Sequence, residues 1–269
     1  MNNGHTADEI ARLVREGVGV ALERTGSRSG PREQLRAVIG SWLTPEDMYV
    51  PDETLTKRIE DYVRWCKTKK GENPGQLLEE IVFLAFRCLR GCSDLKSYQS
   101  FSSQMDLVAG GEDHHWIILL TYLHLNLKQR FIIVEVKNQR QRVNDQQFSR
   151  VCWLLEDRFR RTSELGVIVA RAGATGFPDR KSTKSRRCLE GAQATQLFYY
   201  AEKRKFVIVL EHEDIIALGK PGALVRLLET RIRAVEHWTG ATTSVPTRVT
   251  EVELPAHLRQ YVMNNESPP

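Results

Sequence analysis

The run FIIVEVKNQ at 131–139 is apolar except for two charges, Glu135 and Lys137, placed one residue apart before the polar end of the segment. Successive side chains of a strand alternate faces, so Glu135 and Lys137 share one face while Ile132, Val134 and Val136 fill the other. Burying a charge is costly unless it is paired or bound to a metal, so a carboxylate and an ammonium on an apolar strand call for a reason. A structural reason is an ordinary same-face ion pair near the end of a strand. A chemical one arises if a second carboxylate joins them, and Asp106 in the apolar segment QMDLVA is the companion. Two carboxylates and a lysine at a strand edge meet the requirements of metal-assisted phosphodiester hydrolysis.

A third acid precedes both. A helix is expected from about 74 to 89, opened by ENPG and closed near Gly91, with Leu78, Ile81, Val82, Ala85 and Leu89 as its buried stripe. Glu79 lies beside that stripe, with Val82, Phe83 and Phe86 as neighbours, whereas Glu80 lies nearer Arg87 and solvent. Glu79 is therefore preferred over Glu80; its structural alternative is a snorkelling surface residue. His114 and His115, with Glu112 and Asp113, have the ligand types for a transition metal, but a polar turn is the preferred reading.

These residues need elements to hold them. Residues 6–70 read as helical: Thr6 and Glu9 form a capping box before Ile10, Leu13, Val14, Val18 and Leu22, and GSRSGP breaks that helix. A second helix carries Leu35, Val38, Ile39 and Trp42, and a third spans about 55–68. The following segment reads as helix, three-stranded meander, helix, strand, helix, strand. A further helix at about 222–237 packs on this core or on another subunit, and the tail from Thr239 is turn-rich. The division is 1–70, an N-terminal helical region; 71–219, the α/β domain; 220–238, a C-terminal helix; and 239–269, a flexible tail.

The order helix-Glu, strand-Asp, strand Glu-x-Lys resembles the PD-(D/E)xK nuclease superfamily, the restriction-endonuclease-like fold, and most of all its Mrr-like, methylation-dependent-restriction branch. GQLLEEIV at 75–82, QMDLVA, IIVEVKNQ at 132–139, LGVIVARAGATG at 165–176 and KFVIVLEHEDIIAL at 205–218 carry the resemblance. It implies a mixed central sheet flanked by helices and a Mg²⁺-dependent endodeoxyribonuclease, with Mn²⁺ as a substitute. Met105 stands where the family usually has proline, and the Asp-to-Glu interval is long, so 112–130 is expected to add or lengthen a strand. Asp113 competes with Asp106 for the motif position, but Asp106 has the apolar strand neighbours Met105, Leu107 and Val108. The resemblance implies a Mg²⁺ ion held by Asp106, Glu135 and the Val136 carbonyl, with Glu79 placing a second ion or water. Lys137 would favour hydroxide or steady the charged phosphate. Gln147, near the first turn of the next helix, corresponds to a family position that contacts phosphate or metal-bound water; read alone it belongs to a solvated turn capped by Asn144 or Asp145.

With 269 residues and 41% hydrophobic content, the chain can bury one sizeable core. No run suits a membrane span, the N-terminus lacks a signal peptide's apolar centre, and a cytoplasmic protein is expected. Five cysteines without metal-ligand pairing argue against a disulfide framework. A net charge of +5 is compatible with DNA as partner. Lys181, Lys184, Arg186 and Arg187 in the loop DRKSTKSRR, and KTKK at 67–70, would neutralise backbone phosphates. The expected function is DNA cleavage in restriction or anti-phage defence. The alternatives are a nuclease-fold effector active only with a partner, and a non-catalytic nucleic-acid-binding module. Association as a homodimer or with a defence-system partner protein stays open.

Overall fold

The computed structural model describes residues 43–70, 73–99, 104–177 and 191–238. The helices expected before residue 43, the basic run 179–187 and the tail from Thr239 lie outside the described residues.

The elements run α1 (Pro45–Met48), α2 (Glu53–Thr68), α3 (Pro74–Arg87), β1 (Asp94–Gln99), β2 (Gln104–Gly110), α4 (His114–Tyr122) and β3 (Phe131–Lys137). They continue with α5 (Asp145–Asp157), β4 (Ser163–Ala170), α6 (Gly191–Lys203), β5 (Phe206–Leu210), α7 (His212–Ala217) and α8 (Ala223–Trp238). The strands form one mixed five-stranded sheet in the order β1-β2-β3-β4-β5. The first three are antiparallel neighbours, and β3, β4 and β5 are parallel. The α/β class, the mixed sheet and the helices that precede and flank it are as expected.

Residues 112–130 depart from expectation: they add no strand, and His114–Tyr122 within them form the helix α4. The run HHWIILLTY is apolar on nearly every side, and such a run has no period by which a buried strand can be told from a buried helix. The start signal is Asp113, whose side chain accepts from the Trp116 N–H at 2.9 Å as an N-cap. α3 ends at Arg87, two residues sooner than expected, and buries Leu78, Ile81, Val82 and Ala85 together with Leu77, Leu84 and Phe86.

Alternation along β3 divides the interior in two. Ile132, Val134 and Val136 join a large core with α3, α4 and α8, whereas Ile133 joins a smaller one with Phe148, Val151, Leu154 and Leu155 of α5. Gly166 on β4 allows that second helix to approach, since a Cβ there would come within 2.9 Å of Val151 Cγ1. Tyr49, Leu55, Ile59 and Tyr62 from the N-terminal helices share the large core with Leu224, Leu228 and Ile232 of α8. Tyr49 fastens the segment after α1 to the segment before α8: its hydroxyl donates to the Leu218 carbonyl at 2.6 Å, and its carbonyl accepts from the Gly222 N–H at 2.9 Å.

α2 positions the site. Asp52 starts it by accepting from the Leu55 N–H at 2.7 Å. Its early residues Thr54 and Arg58 lie beside the ends of β2 and β3, and Tyr62 meets His212 Nδ1, just after β5, at 3.0 Å. The helix thus runs along the C-terminal edge of the parallel strands. No described helix is long and apolar enough to cross a membrane.

Candidate active site at the end of the central strand

β2 and β3 run antiparallel, so the first residues of β2 meet the last residues of β3. Their ladder stops at Leu107 opposite Val134. Beyond that pair the Asp106 side chain takes over: its Oδ2 accepts from the Val136 N–H at 2.6 Å. The N–H and C=O of one strand residue point to the same side, so the Val136 carbonyl also faces the Asp106 side. Asp106 is thereby oriented by the backbone of the catalytic-strand candidate, with Oδ1 left for a ligand.

Glu135 lies on the opposite face of β3 from Val136 and is 3% exposed. Its Oε1 pairs with Lys137 Nζ at 2.6 Å, and an Arg150 guanidinium nitrogen lies 3.8 Å from the same oxygen. Glu135 Oε2 is buried with no hydrogen-bond partner, and so is Asn138 Oδ1 three residues along. Buried acceptors are normally satisfied, so an orphaned carboxylate oxygen calls for an explanation such as an absent ion or water.

On the α3 side, Glu79, Asp106, Val136, Arg58, Thr54 and Ser97 are among the residues lining a cleft of about 500 Å³. Glu79 is exposed at its wall, and its pKa is raised, first by burial and then by the negative charge of Asp106. Glu80, its rival, pairs with Arg58 at 3.0 Å. Glu135 and Lys137 are not among the lining residues, so the cleft meets only one side of the site.

Asp113 caps α4 after the far end of β2 and approaches His115 at 3.8 Å. His114 and His115 sit side by side with ring centroids 4.0 Å apart, in the helical first turn of α4. Gln147 is engaged as part of a capping box: its Oε1 accepts from the Asn144 N–H at 3.2 Å while Asn144 Oδ1 accepts from the Gln147 N–H at 2.9 Å. It also exchanges amide bonds with Gln139 at 3.0 and 3.2 Å. Lys181, Lys184, Arg186 and Arg187 lie outside the described residues.

Among the described residues, no three His, Cys, Asp or Glu side chains are gathered as a metal site. Glu79, Asp106 and Glu135 are therefore not a preassembled three-acid centre. Two carboxylates and a backbone carbonyl are a smaller set, and they suit Mg²⁺, which prefers hard oxygen ligands and keeps several waters. The orphaned Glu135 Oε2, the available Asp106 Oδ1 and the direction of the Val136 carbonyl fit that set.

Arg150, Arg58 and Asn138 were not legible as site residues. Arg150 carries a signal only in hindsight, as a cation on the helix following the Glu-x-Lys strand. No known protein family matches this chain, and neither does any curated protein or solved structure.

Proposed function

We propose that the protein is a metal-dependent nuclease that hydrolyses DNA phosphodiester bonds at the Asp106, Glu135 and Lys137 constellation. The observation that carries this reading is the Glu135 carboxylate: buried, held on one oxygen by Lys137, unpartnered on the other, and one residue from the backbone N–H that orients Asp106. The resemblance of the same residues to the PD-(D/E)xK nucleases supports it, and defence against foreign DNA is the setting that resemblance suggests.

Asp106, Glu135 and the Val136 carbonyl would hold Mg²⁺, which when bound supplies Lewis acidity and lowers the pKa of a coordinated water. Lys137 Nζ lies 2.6 Å from Glu135 and steadies the negative charge that develops on the phosphate oxygens. Arg150 adds a second cation on the same side. Glu79 faces the cleft across from Asp106, and its raised pKa makes it a stronger base toward a water there.

The test is cleavage of a supercoiled plasmid with Mg²⁺, with Mn²⁺ and with EDTA, using wild type, Asp106→Ala and Glu135→Ala. Metal-dependent cleavage lost in both variants, with the fold retained by circular dichroism, is expected. Full activity in either variant or in EDTA would overturn the assignment.

A further inference from the structure

One strand over from Lys137, the chain places a cationic and aromatic group that the proposed chemistry does not use. The Arg171 N–H donates to the Lys137 carbonyl at 3.2 Å, so Arg171 is locked to the end of the catalytic-strand candidate. Its guanidinium lies 5.1 Å from the centre of the Trp65 ring, and Lys69 Nζ lies 4.5 Å from the same centre. The two charges are therefore within about 10 Å of each other, roughly a Debye length at ~0.1 M salt. Neither pairs with a carboxylate among the described residues. Glu213 acts electrostatically on the neighbouring Tyr62, but it has no ion pair with either cation.

An indole attracts each cation but does not cancel their mutual repulsion. Two like charges gathered on one ring with no carboxylate partner among the described residues form a site suited to an anion. Its position says which. Trp65 lies seven residues beyond Arg58 on α2, about 10 Å along the helix axis at ~1.5 Å per residue. Arg58 lines the cleft with Asp106, and α2 leads from the cleft to the ring.

We propose that Arg171 and Lys69, mounted on Trp65, bind the phosphate backbone of the DNA substrate beside the stretch being cleaved. This rests on the nuclease reading and adds to it a backbone-holding contact. Neutral recognition of bases is not required, because phosphate contacts position the duplex without reading its sequence.

The experiment is fluorescence anisotropy of a labelled duplex of about 20 base pairs, with Ca²⁺ in place of Mg²⁺, between about 50 and 200 mM salt. The proteins are wild type, Arg171→Lys, and the double variant Arg171→Gln with Lys69→Asn. Asn is chosen because Lys69 has a φ of 57°, in the left-handed region that Asn tolerates. The double variant should bind on the order of tenfold more weakly, with a salt slope shallower by about 2, since each phosphate contact contributes ~0.9. Arg171→Lys should keep most of the binding. An unchanged slope in the double variant, while wild type binds and cleaves, overturns the backbone contact and leaves the nuclease reading standing. Loss in Arg171→Lys as complete as in the double variant also overturns it, because packing on Trp65 would then be the role. A wild type that neither binds duplex nor cleaves it overturns both.

Discussion

Glu135 and Lys137 do not lose the same thing when the partner is removed. The Lys137 side chain is 25% exposed and can turn its ammonium to water, whereas Glu135 is buried and would keep only Arg150, at 3.8 Å. Removing one member of a buried pair costs ~3–5 kcal/mol when the remaining charge is stranded. Lys137→Met should therefore destabilise the metal-free protein by about 2–3 kcal/mol, less than that range because Arg150 remains. Glu135→Gln should change stability by no more than ~1 kcal/mol, as expected of a functional carboxylate. Mg²⁺ should raise the thermal midpoint of Lys137→Met more than that of wild type, since a cation at Glu135 replaces the lost ammonium. Equal and large losses in both variants, unaffected by Mg²⁺, would identify a structural ion pair. In turnover, Lys137→Ala should be slower by about 10²–10⁴ while calorimetry still detects metal binding, the loss typical of an acid–base or electrostatic group. Near-normal single-turnover rates would remove Lys137 from the mechanism.

Two helices depend on single polar side chains. α2, which lines the cleft at one end and carries Trp65 at the other, starts at Asp52, whose carboxylate also meets Arg87 at 2.6 Å. The Leu55 N–H is the main cause that holds the Asp52 pKa below its ordinary 3.8, outweighing burial, with Arg87 assisting. A depressed folded-state pKa gives stability that is present above the unfolded value and lost as pH falls through the folded one. Asp52→Ala should cost about 0.5–2 kcal/mol at neutral pH, and its gap to wild type should close at acidic pH. Asp52→Asn should retain the cap across the range; denaturation against pH on the three proteins measures this. At the other end of α5, the buried Lys205 donates to the carbonyls of Leu155 at 2.8 Å and Arg160 at 3.0 Å, with Glu156 at 3.6 Å. Burial is the first cause lowering its pKa, yet the two carbonyls require a donor there. Lys205→Met should lose about 2–4 kcal/mol by leaving those acceptors unsatisfied, with Glu156 deprived of its cation. A stability within ~0.5 kcal/mol of wild type would show that water replaces the ammonium.

The first and last helices among the described residues share one interior. Tyr49 and Tyr62 reach Leu218 and His212, and Leu228 of α8 lies fully buried in the core that holds α3 and the sheet. The proposed site is therefore built on an assembly that includes helices outside the 71–219 segment. Unfolding of the core formed by the described residues should be a single cooperative transition, coincident by fluorescence and circular dichroism. Leu228→Ala should lower its stability by about 2–5 kcal/mol. Two separated transitions, with α8 melting first and the site unaffected, would contradict this.

The parts legible in the residues were those with a local period. Alternation in FIIVEVK assigned Ile132, Val134 and Val136 to one face and the charges to the other, and the helical stripe of α3 marked its buried side. Turn chemistry narrowed the cap of α5 to Asn144 or Asp145, and the structure gives it to Asn144, whose partner lies three residues along. α4 was misread because a segment buried on all sides has no period to report. Contacts between distant segments left no such trace. That Asp106 takes the Val136 N–H follows from where the β2–β3 ladder stops, and that Glu79 feels Asp106 follows from how α3 lies on the sheet. Arg150 reaches Glu135 through the packing of α5, and Arg171 meets Trp65 because α2 crosses the strand ends. A side chain's own type and spacing state what it can do; strand register and helix placement choose its partners, because charges act through space over a few ångströms whatever their separation along the chain.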